Sequence, residues 1–211
     1  MPKAIVLGAG MVGSVMTADL VDEPGWDVAI ADVRPRNLKA AAMRCGGRVE
    51  TIEADLAKPQ AVKKLVREYD IVLGALASAI GFQTLRAVIE AGKNYCDISF
   101  MPQNAIELDA LAKKQGVTAI VDCGVAPGMS NMMAGHGYAQ LEKCEKIEIY
   151  VGGLPRERTW PFQYKAGFSP HDVIEEYTRP SRIVEHGTIV EREALSEPEL
   201  MDLPGVGTVE A

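Results

Sequence analysis

The sequence contains few residues of the kinds that hold metals or form disulfides. Its 211 residues include four cysteines and three histidines. Cys45, Cys96, Cys123 and Cys144 are widely separated and form no C-x-x-C pair or Cys/His cluster. We therefore expect neither a zinc site nor a disulfide framework, and we predict no metal. Reduced thiols fit a cytoplasmic location.

Long apolar runs and excess positive charge are also lacking. No apolar run approaches the ~20 residues that span a bilayer. The first apolar run leads into a glycine motif rather than a signal-peptide cleavage site. The formal net charge is −7, which argues against nucleic acid or an anionic membrane as the main partner. Apolar residues make up 47% of the chain, enough for a sizeable core.

The first thirteen residues contain the most informative motif. Lys3–Leu7 is a short apolar run with β-branched residues, which is typical of a strand buried on both faces. Gly8, Gly10 and Gly13 follow it with G-x-G-x-x-G spacing. Apolar residues then recur at steps of three to five, which predicts a helix. They are Val12, Val15, Met16 and Leu20.

A strand, a glycine turn and a helix in this order predict a dinucleotide-binding site. Gly8 allows a sharp turn, Gly10 lets the backbone approach a pyrophosphate, and Gly13 lets the helix pack closely on the strand. The N–H groups of the first helical turn attract phosphate because they have no intrahelical partners. The residues expected to bind the cofactor here are Gly8, Ala9, Gly10, Met11, Val12 and Gly13.

An acidic residue lies at the distance that this motif requires. Val28–Ile30 is a second apolar run, and Asp32 ends it, about 20 residues beyond the turn. A carboxylate at this place accepts hydrogen bonds from the ribose hydroxyls of NAD, with Val33 and Arg34 beside it. Arg34 would suit the 2′-phosphate of NADP, but the acid repels that phosphate. NAD is therefore the favoured cofactor, and NADP remains possible.

Strand and helix patterns alternate through the first 125 residues. Further strands are predicted at residues 49–52, 71–76, 95–98 and 118–121, with helices between them. Pro59 is expected to start one of these helices and Ser78 to cap another. The alternation predicts an α/β fold, with a Rossmann doubly wound parallel sheet in residues 1–125.

Ligands of such sheets bind beyond the carboxyl ends of the strands. After strand three, Asp55 either contacts the adenine edge or is a solvated loop residue, and Leu56 follows it. The other candidates are Leu76, Ala77 and Ser78 after strand four, Asp97 after strand five and Asp122 after strand six.

Asp97 is placed by strand order near the expected position of the nicotinamide. A partly desolvated carboxylate there would have a raised pKa and would act as a general base. The alternative is a structural helix cap or a surface aspartate.

The pattern changes after about residue 125. Pro127-Gly128 begins a helical stretch whose methionines are expected to lie in the core. A strand is predicted at 147–151, a helix from Ser169-Pro170 to Tyr177, and a hairpin around Glu185-His186-Gly187. A last strand-like run at 206–209 is expected to lack a pairing partner.

Several stretches carry a family resemblance: VLGAGMVG with ADVRPRN, then YCDIS, GVAPGMSN, YVGGLP and YKAGFSP. Through them the chain resembles the saccharopine dehydrogenase-like family and is similar to its lysine 6-dehydrogenase branch. The resemblance implies a second α+β domain, residues 126–211, that binds substrate and often forms a homodimer. Family chains are longer than this one, so we expect that domain to be truncated and a segment returning to the first domain to be missing.

The resemblance also implies an activity on a small amino acid. A hydride passes from the ε-carbon of lysine to NAD, and water converts the resulting imine to a semialdehyde with release of ammonia. Saccharopine or carboxynorspermidine is an alternative substrate, and a dinucleotide-binding module without turnover is a second alternative. The reductase branch carries an acid before the Pro-Gly pair where this chain has Ala126, which argues against saccharopine.

The amine must be neutral when the hydride leaves, so a nearby group has to accept a proton. Asp97 is the candidate from strand order. The resemblance adds Tyr164 and Lys165, in a loop that faces the cleft in family members, as the acid or as ligands of the substrate carboxylate, although Lys165 also fits a plain solvated lysine. The substrate-binding candidates are Asp122, Gly152, Gly153, Tyr164 and Lys165, the glycines because they lack a Cβ that would block close approach.

Overall fold

The computed structural model describes residues 1–167 and 169–210. The chain divides into two compact units, Met1–Leu141 and Glu142–Ala211. The domain boundary at residues 125 and 126 stays a prediction. Within the described residues, no helix is both long and apolar enough to cross a membrane.

The first unit is built on a six-stranded sheet. Its strands are β1 (Lys3–Leu7), β2 (Asp27–Asp32), β3 (Glu50–Glu53), β4 (Ile71–Gly74), β5 (Asn94–Asp97) and β6 (Ala119–Ile120). They lie in the order β3-β2-β1-β4-β5-β6, and every neighbouring pair is parallel. The predicted doubly wound Rossmann sheet is confirmed, and its order reverses between β1 and β4, where ligands of such sheets bind.

Helices connect these strands along the first unit. They are α1 (Met11–Asp22), α2 (Pro35–Arg44), α3 (Pro59–Leu65), α4 (Ser78–Glu90), α5 (Asp109–Gln115) and α6 (Met129–Tyr138). Short 3₁₀ turns at Val66–Glu68 and Ala105–Leu108 follow α3 and precede α5. The prolines that begin α2 and α3 fit the first turn, where their missing N–H has no intrahelical partner in any case. Gly116 ends α5 in the left-handed conformation.

The core lies on both faces of the sheet because β1 and β2 are buried at every position after their first residues. Ile5 and Leu7 of β1 pack in one buried cluster, and Val6 packs in the other. Side chains of a strand point alternately to opposite faces, so these three neighbours fill both layers. This explains why β1 is apolar at every position after Lys3 rather than at every second one.

The helix α1 packs on the sheet with a face that only partly matches the one that the apolar spacing predicted. Val12 and Val15 are 51% and 50% exposed, whereas Gly13, Ser14 and Thr17 are buried. The hydroxyl of Thr17 donates to the carbonyl oxygen of Gly13 at 2.6 Å. Close contact between this helix and the glycine turn leaves room for small side chains only, so Val12 and Val15 point away. Met16 and Leu20 pack against the second buried cluster, as the spacing predicted.

The methionines of α6 are exposed, so the prediction that they lie in the core is wrong. Met129, Met132 and Met133 are 49%, 69% and 67% exposed. The helix itself was predicted correctly, but it buries none of its residues. The apolar side chains of α6 belong to neither buried cluster of the first unit.

The second unit contains one helix and two hairpins. The helix α7 spans Pro170–Thr178, and the Ser169 hydroxyl caps it by accepting a hydrogen bond from the Asp172 N–H at 3.4 Å. Strands β7 (Ser181–Glu185) and β8 (Thr188–Arg192) form the predicted antiparallel hairpin. His186 and Gly187 both have positive φ, as a tight two-residue hairpin turn requires.

Two strand predictions for the second unit are wrong. Residues 147–151 show the right alternation, but the segment 143–155 has no regular secondary structure. Alternation alone makes no strand, since a strand also needs a neighbour for its backbone groups. The last strand, β10 (Gly207–Glu210), does have a partner and pairs antiparallel with β9 (Leu200–Leu203).

Candidate functional site

The glycine turn between β1 and α1 lies at the switch in strand order. Gly8 has a φ of 103°, and its N–H donates to the carbonyl oxygen of Ala31 at 2.8 Å. A Cβ on Gly8 would collide with the carbonyl oxygen of Ala75, and one on Gly13 would collide with that of Gly8. The turn is therefore possible only because both residues lack a side chain.

The space at the Cβ position of Gly10 is open among the described residues. Gly10 is the N-cap of α1, and no protein atom lies within 4 Å of the position that its Cβ would take. The first turn of α1 has no acidic residue and no side-chain cap. The N–H groups of Met11, Val12 and Gly13 thus lack intrahelical acceptors. Free N–H groups at a helix start with open space above them suit a phosphate.

Asp32 joins the glycine turn to the segment after β2. Its Oδ2 accepts the Ala9 N–H at 2.8 Å and the Asn37 Nδ2 at 3.4 Å. Its Oδ1 accepts the Arg34 N–H at 2.7 Å. Since an ionised carboxylate has about four acceptor sites, these three bonds leave room for one ribose hydroxyl. Asp32 therefore ties the glycine turn to the start of α2, and its contact with the ribose stays a prediction.

Two cationic residues follow this carboxylate in the sequence. Arg34 and Arg36 are both exposed at the start of α2, and within the described residues neither forms an ion pair. Val33, between Asp32 and Arg34, is 54% exposed. The same edge thus offers one acid that suits ribose hydroxyls and two guanidinium groups that suit a phosphate.

A second set of hydrogen bonds links the loops after β4 and β5. The Asp97 Oδ1 accepts the N–H of Ser99 at 3.0 Å and its hydroxyl at 2.7 Å. The Ser99 hydroxyl oxygen in turn accepts the Leu76 N–H at 3.3 Å. Gly74 permits this arrangement, because a Cβ there would occupy the positions of the Tyr95 hydroxyl and the Asp97 Oδ1. Asp97 therefore supports, through Ser99, the backbone of Leu76, one of the predicted cofactor-binding residues.

Asp97 itself is fully buried, with 0% of its surface exposed. Its Oδ2 and the neighbouring Tyr95 hydroxyl have no hydrogen-bond partner among the described residues. Burial raises the pKa of Asp97, the Ser99 hydrogen bonds oppose this, and the charge of Asp122 adds to it. The raised pKa agrees with the sequence-based expectation, but a side chain without exposure does not contact a substrate in this conformation. The geometry supports a positioning role.

The remaining candidates of the first unit occupy different environments. Asp55 turns back to its own loop, where it binds the Lys58 ammonium at 3.0 Å and the Ala57 N–H at 3.1 Å. The Lys58 hydrogen bond and then the Ala57 one lower the pKa of Asp55. Leu56 packs in the core. Asp122 is exposed and has a φ of 58°.

Ser78 does not cap α4 as predicted, because Ala77 occupies the N-cap position and Ser78 is the first helical residue. Ser78 is buried, with 3% of its surface exposed, whereas Ala77 is exposed. The helix starts one residue earlier than the capping prediction required.

The second unit contains the other predicted substrate residues. Tyr164 lines a pocket of about 740 Å³ together with Phe162, Ala166, Pro170, Val173, Ile174 and Tyr177. Burial, then Tyr177 and Glu176, raise the pKa of Tyr164. Lys165 is exposed. Gly152 and Gly153 are exposed in the irregular segment, and nothing lies within 4 Å of their Cβ positions.

Three contributors to the site were missed in the sequence. Tyr95 lies two residues before Asp97 on β5, so strand alternation alone would have placed the two side chains on one face. Asn37, in the first turn of α2, reaches Asp32 because that helix starts shortly after β2. Arg36 belongs to the same helical turn. Over residues 1–167 and 169–210, no cluster of three or more His, Cys, Asp or Glu side chains is placed to hold a metal ion.

A parallel sheet of this strand order, with an unblocked helix start at its switch point and an acid at the end of β2, defines a dinucleotide-binding Rossmann unit. The chain belongs to the saccharopine dehydrogenase family. Residues 4–120 match the family described as the saccharopine dehydrogenase NADP binding domain. Residues 124–210 match the saccharopine dehydrogenase C-terminal domain.

Curated relatives and a solved structure support the assignment to this family. Saccharopine dehydrogenase (NADP+, L-glutamate-forming) of Schizosaccharomyces pombe is 25% identical over 199 residues, which are 90% of this chain and 44% of that protein. The mouse mitochondrial alpha-aminoadipic semialdehyde synthase is 23% identical over 195 residues, covering 89% of this chain and 21% of that protein.

The apo structure of saccharopine dehydrogenase (L-Glu forming) from Saccharomyces cerevisiae superposes with a TM-score of 0.73 at 20% identity. The superposed region covers 96% of this chain and 47% of the S. cerevisiae chain. The fold is therefore shared. The chain thus spans about half, or less, of the length of these relatives.

Proposed function

We propose that the protein is an oxidoreductase that transfers a hydride between a nicotinamide dinucleotide and the carbon of a C–N bond in an amino acid. The observation that carries this proposal is the set of unsatisfied N–H groups at the start of α1 beside the fixed carboxylate of Asp32. Such a constellation fits the pyrophosphate and ribose of a dinucleotide. The names of the curated relatives support the C–N bond as the place of reaction.

The chain's own residues would prepare this site in three ways. The glycine turn and the start of α1 bind the phosphates, and Asp32 orients the ribose. The Asp97–Ser99–Leu76 hydrogen bonds hold the loop after β4 in one conformation. The bound dinucleotide supplies the hydride acceptor. A proton acceptor for the amine is proposed among Tyr164, Lys165 and Asp97. The burial of Asp97 argues against its direct contact with the amine, and the raised pKa of Tyr164 suits its hydroxyl to the role of an acid rather than a base.

Lysine is the first proposed substrate, with oxidation at its ε-carbon. The support is Ala126, since a chain that recognises saccharopine would carry an acid at that place. Saccharopine is the second candidate because the relatives from S. pombe and S. cerevisiae are named saccharopine dehydrogenases. A homodimer and a cytoplasmic location remain part of the proposal.

A substrate screen distinguishes these candidates. The purified protein is incubated with NAD or NADP and with lysine, saccharopine or carboxynorspermidine, and the reduced cofactor is followed by its absorbance. We expect the reduced cofactor to form only when both lysine and the protein are present. Formation with saccharopine alone would assign the second candidate. Dinucleotide binding without turnover on any of the three would show a binding module and contradict the enzyme proposal.

The cofactor is proposed to be NAD, since Asp32 opposes a 2′-phosphate. The names of the matching family and of the relatives include NADP, and Arg34 and Arg36 would supply its contacts. If NADP binds through Arg34, the substitution Arg34→Ala should weaken it by about 10- to 100-fold, the loss of one hydrogen bond to a charged group, with little change for NAD.

Titrations of both cofactors into the wild type and into Arg34→Ala test this choice. Lys39→Ala is the matched control, because Lys39 is an exposed cation further along α2 and should leave both affinities unchanged. Tighter binding of NADP than of NAD to the wild type would overturn the assignment of NAD.

A further inference from the structure

Two of the four cysteines lie next to each other in the first unit, although they are far apart in the sequence. The Sγ atoms of Cys96 and Cys123 are 3.5 Å apart. Cys96 belongs to β5, and Cys123 lies in the segment that follows the neighbouring strand, β6. Both residues are partly exposed, whereas Cys45 is buried. Small solutes can therefore reach the pair.

The backbone around this pair is already held in place. The Cys123 N–H donates to the carbonyl oxygen of Asp97 at 3.0 Å. Asp122, with its φ of 58°, makes the kink that brings Cys123 towards β5. Because an S–S bond is about 2.05 Å long, the two sulfurs need to approach by about 1.5 Å. A shift of that size is within the reach of side-chain rotation.

We propose that Cys96 and Cys123 are a redox modification site that closes into a reversible intramolecular disulfide, with a low-molecular-weight disulfide as the oxidant. The Cys123 thiolate attacks one sulfur of oxidised glutathione, which forms a mixed disulfide and releases one glutathione thiolate. The Cys96 thiolate then attacks the Cys123 sulfur, and the second glutathione leaves. The two thiols lose two protons and two electrons, and the oxidant is reduced to two glutathione molecules.

The environment of the two thiols sets the order of these steps. Burial, and then the hydrogen bond with Cys123, raise the pKa of Cys96 to about 11. A thiol with such a pKa is protonated at neutral pH and is a poor first nucleophile. Cys123 is therefore the thiol that attacks the oxidant first. Cys96, at 3.5 Å, acts as the resolving thiol.

The cross-link would join β5 to the segment that leads into α6. That segment is tied to the helix by hydrogen bonds from the Met129 N–H to the Gly124 carbonyl oxygen at 2.9 Å and from the Ser130 N–H to the Val125 carbonyl oxygen at 3.0 Å. Oxidation would thus fix Asp122 and the start of α6 relative to Asp97. This inference is independent of the proposed enzyme activity.

Peptide mapping by mass spectrometry tests the proposal. The native protein is treated with oxidised glutathione, free thiols are alkylated, and the digest is searched for linked peptides. We expect a Cys96–Cys123 peptide in the wild type and in the control Cys144→Ser, and none in Cys96→Ser or Cys123→Ser. In Cys96→Ser, glutathione should accumulate on Cys123, because the resolving thiol is missing.

The result that would overturn the proposal is equally definite. If Cys144 becomes glutathionylated in the wild type while no Cys96–Cys123 peptide forms, the pair is not a redox site. The same conclusion follows if Cys96→Ser leaves Cys123 unmodified under conditions that modify Cys144.

Discussion

The substitution Gly13→Ala is expected to destabilise the first unit and to abolish dinucleotide binding. A Cβ at this position meets the carbonyl oxygen of Gly8, which belongs to the backbone of the turn and has little freedom to move. Overpacking of this kind costs about 1–3 kcal/mol or more, and alanine returns about 1 kcal/mol through its higher helix propensity. We therefore expect a net loss of about 2 kcal/mol in the free energy of unfolding, measured by urea denaturation.

The matched control is Gly10→Ala, three residues earlier in the same turn. No protein atom lies within 4 Å of its Cβ position, and its φ of −73° suits any residue. Its effect on the free energy of unfolding should stay below about 1 kcal/mol, the usual cost of alanine at an N-cap. Its dinucleotide affinity should fall by about tenfold or more, equivalent to about 1.4 kcal/mol. Equal destabilisation by both variants would contradict this account of the turn.

The second large effect is expected at Asp97, where two substitutions separate charge from hydrogen bonding. Asp97→Ala removes the acceptor of the Ser99 N–H and hydroxyl. Leaving buried donors unsatisfied costs about 1–3 kcal/mol each, and the loop at Leu76 loses its support. We expect clear destabilisation together with weaker dinucleotide binding. Asp97→Asn keeps an oxygen acceptor for Ser99, so binding should persist.

Turnover of Asp97→Asn then decides between the two roles of this residue. A general base replaced by an amide should lose activity by about 10²- to 10⁴-fold. A buried positioning residue should retain activity, and the location of Asp97 predicts this second outcome. A loss in that range with unchanged dinucleotide affinity would restore the base assignment and would require a conformation in which Asp97 is exposed.

The pH dependence of unfolding gives an independent check on the same residue. Burial raises the pKa of Asp97 above its ordinary value of 3.8. The unfolded chain therefore releases this proton at lower pH than the folded chain, and the residue destabilises the fold as the pH rises from 3.8 through its raised value. The stability of Asp97→Asn relative to the wild type should increase across that interval and level off above it. No change in this difference with pH would contradict the raised pKa.

The topology of the first unit was predictable because parallel sheets impose strong local rules. Strands buried on both faces read as continuous apolar runs, as in β1, and each is followed by a helix signal. Pro35 and Pro59 at helix starts and Gly116 at a helix end mark the boundaries independently of packing. Position in the chain then assigned Asp32 and Asp97 to the carboxyl edge, since parallel strands all end there.

The predictions that failed concern features that depend on contacts between distant segments. The exposure of Val15 follows from which face of α1 packs, and small residues rather than large ones decided that. Met132 is exposed because α6 buries none of its residues. The irregular segment around residue 149 has the alternation of a strand, but among the described residues no strand pairs with it. The burial of Asp97 follows from Gly74 on the adjacent strand, which leaves space for a carboxylate that no pattern within β5 reveals.

The central claim is that the start of α1 binds the dinucleotide phosphates, and amide hydrogen exchange tests it most directly. The N–H groups of Met11, Val12 and Gly13 have no intrahelical acceptor, so a bound pyrophosphate should slow their exchange strongly. We expect saturating NADH or NADPH to protect these three amides in the wild type and much less in Gly10→Ala. Saturating dinucleotide that leaves their exchange unchanged, while it protects another part of the chain, would contradict the account.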